Sequence, residues 1–317
     1  MKKVLLVAIL VLIIIFSILL ITNVKIKQNI DDGKIKIVVS NFASYDFLRA
    51  ITKNVEGIEL TFLLGPGKQM HSYDPTTQDL INIQKADLFV YVGGESENWA
   101  NKVVETIDLD KTKVVCISDY VDKLQEERID GAEEEHEEEG VFNEHIWTSP
   151  TNAIKMVNQL EIAMEQIDQK NNQIYKNNAT EYINQINKVK NEIQNIVDKR
   201  VRNRLVFGDK MPMQYFIKEF GLEVSAVFNG CSTETDPSSS TIAYIVKRIK
   251  AEKIPVVLYC ELNDGKVANI IAKEVGGTVE TLQIQTLHNV TKEDFNNGET
   301  WVSLMQRNIS VLEKALD

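Results

Sequence analysis

Cysteine is scarce, with three residues in 317, at positions 116, 231 and 260. So small and odd a count excludes the disulfide framework that staples small secreted domains. The first cysteine also comes far too late for an N-terminal lipid anchor. Cys116, in the apolar run Lys113 to Ser118, reads as a buried strand residue, whereas Cys231 and Cys260 each follow a β-rich run and read either as a pair or as two buried thiols. Proline (6) and glycine (15) are too few for collagen-like or low-complexity chains. Positive charge is short as well: 35 Lys and Arg face 46 Asp and Glu, a net charge of -11, and the densest basic stretch is only the sprinkle from Asp198 to Arg204. No nucleic-acid partner is expected, and the acidic balance favours cations. The common catalytic signatures are missing too: G-x-S-x-G, H-E-x-x-H, G-x-G-x-x-G after a strand, and Walker A. Gly65-Pro66-Gly67-Lys68 lacks the spacing and the hydroxyl of a phosphate loop and reads as a turn.

Against these absences stands one long apolar run. Lys2-Lys3 precede an uninterrupted stretch from Val4 to Ile21, about the length that crosses a bilayer, with positive charge on the side that stays inside. No A-x-A pattern follows it. Residues 1–24 are therefore expected to be a membrane anchor or signal segment that sends the rest of the chain out of the cytoplasm, anchored or secreted.

After that segment, short β-rich runs alternate with helical stretches, the pattern of parallel α/β sheets. Strands are expected near Ile35–Ser40, Ile58–Leu63, Leu88–Tyr91 and Val114–Ile117, then near Leu205–Phe207, Glu223–Phe228, Pro255–Cys260 and Thr278–Ile284. Asp74-Pro75 reads as a helix start running to about Lys85. From Asn152 to Arg200 the spacing of Ile174, Ile183, Ile186, Val189, Ile193 and Val197, with no glycine or proline, reads as one long helix. A final helix covers about Thr300–Leu316. The expected organisation is an N-terminal α/β lobe over 33–151 with an acidic loop at 126–144, a connecting spine helix over 152–200, and a C-terminal α/β lobe over 201–317. The fold class is thus α/β, two lobes with parallel sheets joined by a helical spine, and the ligand cleft is expected between the lobes, beyond the carboxyl ends of the strands.

Four histidines occur, at 71, 136, 145 and 288. His71 follows a strand in Gly67-Lys68-Gln69-Met70-His71-Ser72-Tyr73-Asp74-Pro75, and His145 lies in Asn143-Glu144-His145-Ile146-Trp147-Thr148-Ser149-Pro150. Between them, Glu133 to Glu139 sets six Glu around His136, a solvated linker that also concentrates cations. His288, beside Asn289, reads as a surface residue.

Together these residues resemble the zinc- and manganese-binding solute-binding proteins of bacterial ABC importers, the ZnuA-like zinc uptake type. The likeness rests on the Gly67–Pro75 loop, Ala86-Asp87-Leu88 followed by Gly93-Gly94 and Trp99, the acidic His-bearing insertion, His145-Ile146-Trp147 and the spine. Further on it includes the Gly230–Ser238 stretch and Glu261 at a strand end. The resemblance implies capture rather than catalysis. One divalent ion, zinc first and manganese second, is held in the cleft and passed to an ABC permease whose ATPase is a further chain, at the extracytoplasmic face of the bacterial membrane. It makes His71 and His145 ligands of the metal. The family's third ligand falls at Lys210, which as an ammonium cannot coordinate, so Asp209 is the expected substitute; Asp209 also reads as a helix cap. The fourth falls near Gln285, with Glu261 as the charged alternative and His288, Cys231 and Glu234 as further ones. Two other readings stand beside this: an anchored metal-dependent hydrolase with Glu144 or Glu261 as general base, and an adhesion or interaction protein without metal.

Overall fold

A computed structural model describes residues 33–129, 131–132, 141–229, 236–276 and 279–317. The apolar run Val4–Ile21, the acidic tract with His136, and Cys231 and Glu234 lie outside the described residues. Among the described residues, no helix is long and apolar enough to cross a membrane.

All eight expected strands form, and they divide into two four-stranded sheets. The first holds β1 (Ile35–Val39), β2 (Ile58–Phe62), β3 (Leu88–Tyr91) and β4 (Lys113–Cys116) in the order β2-β1-β3-β4. The second holds β5 (Arg204–Phe207), β6 (Glu223–Ala226), β7 (Val256–Cys260) and β8 (Glu280–Ile284) in the order β6-β5-β7-β8. The pairs β1–β3, β3–β4, β5–β6, β5–β7 and β7–β8 are parallel. Parallel strands covered on both faces read as continuous apolar runs, and β3, Leu-Phe-Val-Tyr, is buried throughout. Each sheet therefore turns over between its first strand and its third, which opens a crevice beyond the carboxyl ends in both lobes.

Helices fill the connections: α1 (Phe42–Ile51), α2 (Thr77–Gln84) and α3 (Asn98–Val104) in the first lobe, α4 (Pro150–Ile167) and α5 (Asn172–Lys199) between the lobes, and α6 (Gln214–Glu219), α7 (Ser239–Glu252), α8 (Lys266–Val275), α9 (Lys292–Asn296) and α10 (Trp301–Leu316) in the second. α2 starts two residues later than Asp74-Pro75 suggests. Thr76 is its cap: the Thr76 hydroxyl accepts from Asp79 N at 3.2 Å while the Asp79 carboxylate accepts from Thr76 N at 2.9 Å. Gly208, at the end of β5, is required by close approach, since a Cβ there would lie 2.5 Å from Ala268 Cα on α8.

The stretch 152–200 is two helices rather than one, although it contains neither glycine nor proline. Asp168 breaks it. Its buried carboxylate accepts from Asn171 Nδ2 at 2.7 Å and from the Tyr175 hydroxyl at 2.6 Å, and its backbone leaves the helical region. α5 then buries one stripe, Tyr175, Ala179, Tyr182, Ile186, Val189, Ile193 and Val197, against α1, α4 and α10, while Ile174 stays exposed. Asp46 of α1 joins three elements at this junction. Its carboxylate accepts from Trp301 N at 2.6 Å and from the Tyr182 hydroxyl, and pairs with Arg49 at 2.6 Å.

Candidate metal centre

Three histidines converge beyond the strand ends. His71 comes from the loop after β2, His145 from the turn before α4, and His288 from the loop after β8. One ring nitrogen from each lies within 4.8 Å of the other two. The ring centroids are 5.1 Å apart for His71 and His288, 5.3 Å for His145 and His288, and 5.8 Å for His71 and His145. Among the described residues this is the one cluster of three or more His, Cys, Asp or Glu that close together.

His288 was expected at the surface and is instead 5 % exposed. The reason is the turn before it. Leu287 has a φ of 59°, in the left-handed region, and this reverses the chain so that the imidazole faces inward and stacks on Trp147 at 6.2 Å. Sequence spacing carries no signal for such a turn, because a leucine rarely adopts it. The loop is bolted to the His71 loop: Asn289 Nδ2 donates to Gly65 O and Lys68 O at 2.9 and 2.6 Å, and Gly67 N donates to Val290 O at 2.8 Å.

His145 is fixed from both sides. Asn143 Oδ1 accepts from His145 N at 3.0 Å and lies 3.2 Å from Nδ1. The Asn143 amide is oriented in turn by donating to Glu126 Oε2 at 2.6 Å and Gln214 Oε1 at 3.2 Å. An acceptor facing Nδ1 places the proton there and leaves the Nε2 lone pair directed away, the tautomer that ligates a metal through Nε2. The preceding Glu144 packs into a groove that only glycine leaves open: Gly94 has a φ of 104°, and a Cβ there would meet Glu144 Oε1 at 2.5 Å. Glu144 accepts from Ser96 N at 2.7 Å and from the Ser96 hydroxyl, so its carboxylate is turned to that backbone.

His145 and His288 are buried and His71 stands at the accessible side of the cluster. Desolvation lowers the pKa of His71 to about 4, helped by the nearby Lys210 ammonium, and that of His288 to about 3, helped by His71 and Lys210. His145 is lowered well below the ordinary value by the same desolvation. The Nε2 atoms of His145 and His288 are buried with no hydrogen-bond partner. Orphaned buried imidazole nitrogens, neutral and convergent, are the donor set a divalent ion accepts.

The two carboxylates named from the sequence stand beside this cluster with their oxygens already engaged. Asp209 accepts from Cys260 N at 3.0 Å, Asn263 Nδ2 at 2.9 Å and Lys210 N at 2.8 Å, which ties the end of β5 to the end of β7. Glu261 accepts from Thr286 N at 2.8 Å, from the Thr286 hydroxyl and from His288 N at 3.1 Å. Both line a cavity of about 80 Å³ together with Gln69, Lys210 and His288. Gln285 donates its N–H to Asn308 Oδ1 and its side chain to Gln283 Oε1. Cys260 Sγ donates to Lys210 O at 3.4 Å, and Cys116, at the end of β4, is half-buried beside Ser118 and Val92.

Comparison with known proteins places this geometry in context. The zinc-uptake complex component A periplasmic family, ZnuA, matches residues 37–315. The chain is 27% identical over 289 residues to the zinc-binding lipoprotein AdcA of Streptococcus pneumoniae, covering 90% of this chain and 56% of AdcA. It thus spans little more than half the length of that relative. It is also 27% identical over 291 residues to the high-affinity zinc uptake system protein ZnuA of Bacillus subtilis, covering 89% of this chain and 88% of that one. Among solved structures, the Zn(II)-bound ZnuA-like domain of S. pneumoniae AdcA superposes with a TM-score of 0.76 at 26% identity, covering 90% of this chain and all of that domain.

Proposed function

The chain belongs to the zinc-uptake complex component A family, and from that premise we propose that it is a solute-binding protein that captures a divalent transition metal outside the cytoplasm and hands it to an ABC permease. The observation that carries this reading is the convergence of His71, His145 and His288, two of them with orphaned buried Nε2 atoms. These three imidazoles hold the ion. Asp209 and Glu261 support it from behind, Asp209 by bracing the β5 and β7 ends and Glu261 by fixing the turn of His288. Three neutral nitrogen donors favour zinc, which accepts a three-histidine tetrahedral set, over manganese, which prefers oxygen. The ion is cargo. Capture requires no nucleophile and no general base, and both Glu144 and Glu261 are spent on hydrogen bonds.

The permease and its ATPase are separate chains, and the N-terminal apolar run keeps this protein at the extracytoplasmic face of the membrane. Metal analysis and titration of the full-length chain with zinc and manganese test the proposal. One tight zinc site, lost in H71A and H145A with folding retained, supports it. A chain that binds neither ion, or variants that bind as the wild type does, overturns it.

A further inference from the structure

The turn that carries His145 is held at both flanks by one short helix of the other lobe. That helix is α6, and its Gln214, Tyr215 and Glu219 all reach residues 143–151 or the ribbon beside them. Before the imidazole, the Tyr215 hydroxyl donates to Asn143 O at 2.9 Å and accepts from Leu124 N at 3.0 Å, so it joins the two strands of the ribbon that the Gln125–Phe142 bridge pairs. Gln214 Nε2 donates to Gln125 O at 2.7 Å. A backbone carbonyl only accepts, so this bond decides which end of the Gln214 amide faces the ribbon and turns Oε1 to Asn143 Nδ2 at 3.2 Å. The Asn143 amide is thereby set with Oδ1 toward the His145 ring, in the same sense that Glu126 imposes from the ribbon. After the imidazole, Glu219 accepts from the Ser149 hydroxyl, from Thr151 N at 3.2 Å and from the Thr151 hydroxyl at 2.6 Å, and it pairs with Lys190 of α5 at 3.0 Å. Ser149 is the cap of α4. Gln214, Tyr215, Asn143 and Ser149 are all buried, so these bonds are shielded from competing water.

We propose that α6 positions His145 for the metal: Gln214 and Tyr215 hold the residue that orients the imidazole, and Glu219 holds the start of α4 on its other side. This inference rests on the three-histidine capture reading. The second lobe then acts on the ion twice, by supplying His288 and by setting the direction of a ligand that the first lobe carries. A shift of α6 against the ribbon moves Asn143 and Ser149 together and swings the Nε2 lone pair of His145 away from the point where the three imidazoles meet. Gln214, Tyr215 and Glu219 are positioning residues, which act through Asn143 and Ser149.

The test is zinc affinity of the full-length chain by chelator competition, with the visible spectrum of the cobalt(II)-loaded chain as a probe of ligand geometry. Q214M keeps the length of the side chain and removes both ends of its amide, and Y215F removes only the hydroxyl. Each is expected to bind zinc about tenfold more weakly, the usual effect of losing a residue that orients a ligand, and to shift the cobalt bands. E219Q keeps an acceptor for Ser149, loses the charge opposite Lys190, and is expected to move both readouts in the same direction by less; it carries the test alone if either buried variant fails to fold. A double-mutant cycle separates positioning from general loosening. If Gln214 acts through Asn143, Q214M combined with N143A binds zinc no more weakly than N143A alone, whereas Q214M combined with E261A multiplies the two losses. Folded variants with the zinc affinity and cobalt spectrum of the wild type overturn the proposal and leave the capture reading standing. A loss in Q214M that multiplies with N143A as it does with E261A overturns the role of Gln214. A wild-type chain that binds no zinc removes the capture reading itself and this inference with it.

Discussion

The Glu261 carboxylate accepts the backbone N–H of His288 at 3.1 Å and that of Thr286 at 2.8 Å, so one buried side chain at the end of β7 fixes the turn that carries an imidazole beyond β8. Between those two donors stands Leu287 in a left-handed conformation. A strained residue persists only where its surroundings over-determine it, and here the clamp does so from one side while Asn289 grips the His71 loop from the other.

Removing the clamp is expected to loosen His288 before it unfolds the lobe. E261A leaves the buried Thr286 N–H without an acceptor, a cost of about 1–3 kcal/mol, and leaves the His288 N–H only the Thr286 hydroxyl at 3.4 Å. Zinc affinity is expected to fall about 10–100-fold, the usual effect of losing a residue that orients a ligand. E261Q keeps one carbonyl acceptor and should fall between E261A and wild type. Competition with a chromophoric chelator measures this. An E261A affinity equal to wild type would show that His288 is oriented by something else.

Leu287 gives a prediction in which two effects compete. Its side chain is 1 % exposed, and truncating a buried leucine to alanine costs about 2–5 kcal/mol. In a right-handed helix, glycine would be the worse replacement by about 1 kcal/mol. At a φ of 59° that order should reverse, because alanine keeps the left-handed penalty and glycine does not. Urea denaturation of L287A and L287G decides it: L287G is expected to be the more stable of the two, and the opposite order would remove the claim of strain at this turn.

Asn143 acts on His145 through its tautomer. N143A removes the acceptor facing Nδ1, so the proton is free to move to Nε2 and block the lone pair. Zinc affinity is expected to fall about 10–100-fold, and the thermal midpoint is expected to drop as well, because the same side chain accepts from His145 N and donates to Glu126 and Gln214. Nitrogen-15 shifts of the His145 ring in the metal-free chain check the cause directly. An unchanged tautomer population in N143A would sink the explanation even if affinity falls.

All eight strands were legible because continuous apolar runs between turn residues survive in a parallel sheet, and His71 and His145 stood out because each sits in a loop flanked by distinctive neighbours. What the residues concealed was three-dimensional. The spine is broken at Asp168 by a carboxylate that binds Asn171 and Tyr175, which helix periodicity does not register. His288 turns inward on a leucine with positive φ, where composition pointed to an exposed loop. Asp209 and Glu261 were legible as strand-end carboxylates, yet the donors that occupy them, backbone N–H groups and the Asn263 amide, belong to the tertiary fold alone.

The depressed histidine pKa values give the site a signed acid response. His288, at about 3 in the folded chain against 6.5 as its ordinary value, is neutral when folded and protonated when unfolded across that window. The unfolded state then binds more protons, so stability rises with pH there and is lost on acidification, by about 1.4 kcal/mol per pH unit for one such group. Glu97, raised to about 7 by burial, works in the opposite sense, since its folded form holds the proton between about 4.5 and 7, and Asp46, Glu144 and Glu261 are raised likewise. The histidine contribution is therefore read as a difference. Wild type should lose stability relative to H288Q as pH falls from about 6.5 toward 3, measured by urea denaturation of the metal-free chains at each pH. Zinc binding should follow the same logic: with His71 at about 4 and His288 at about 3, protons begin to compete with the ion only near those values. Zinc affinity of the wild type is expected to be nearly flat from about pH 7.5 to 5. A steep loss of zinc beginning at pH 6.5 would mean that the imidazoles titrate as exposed groups and that the site is more open than the burial of His145 and His288 implies.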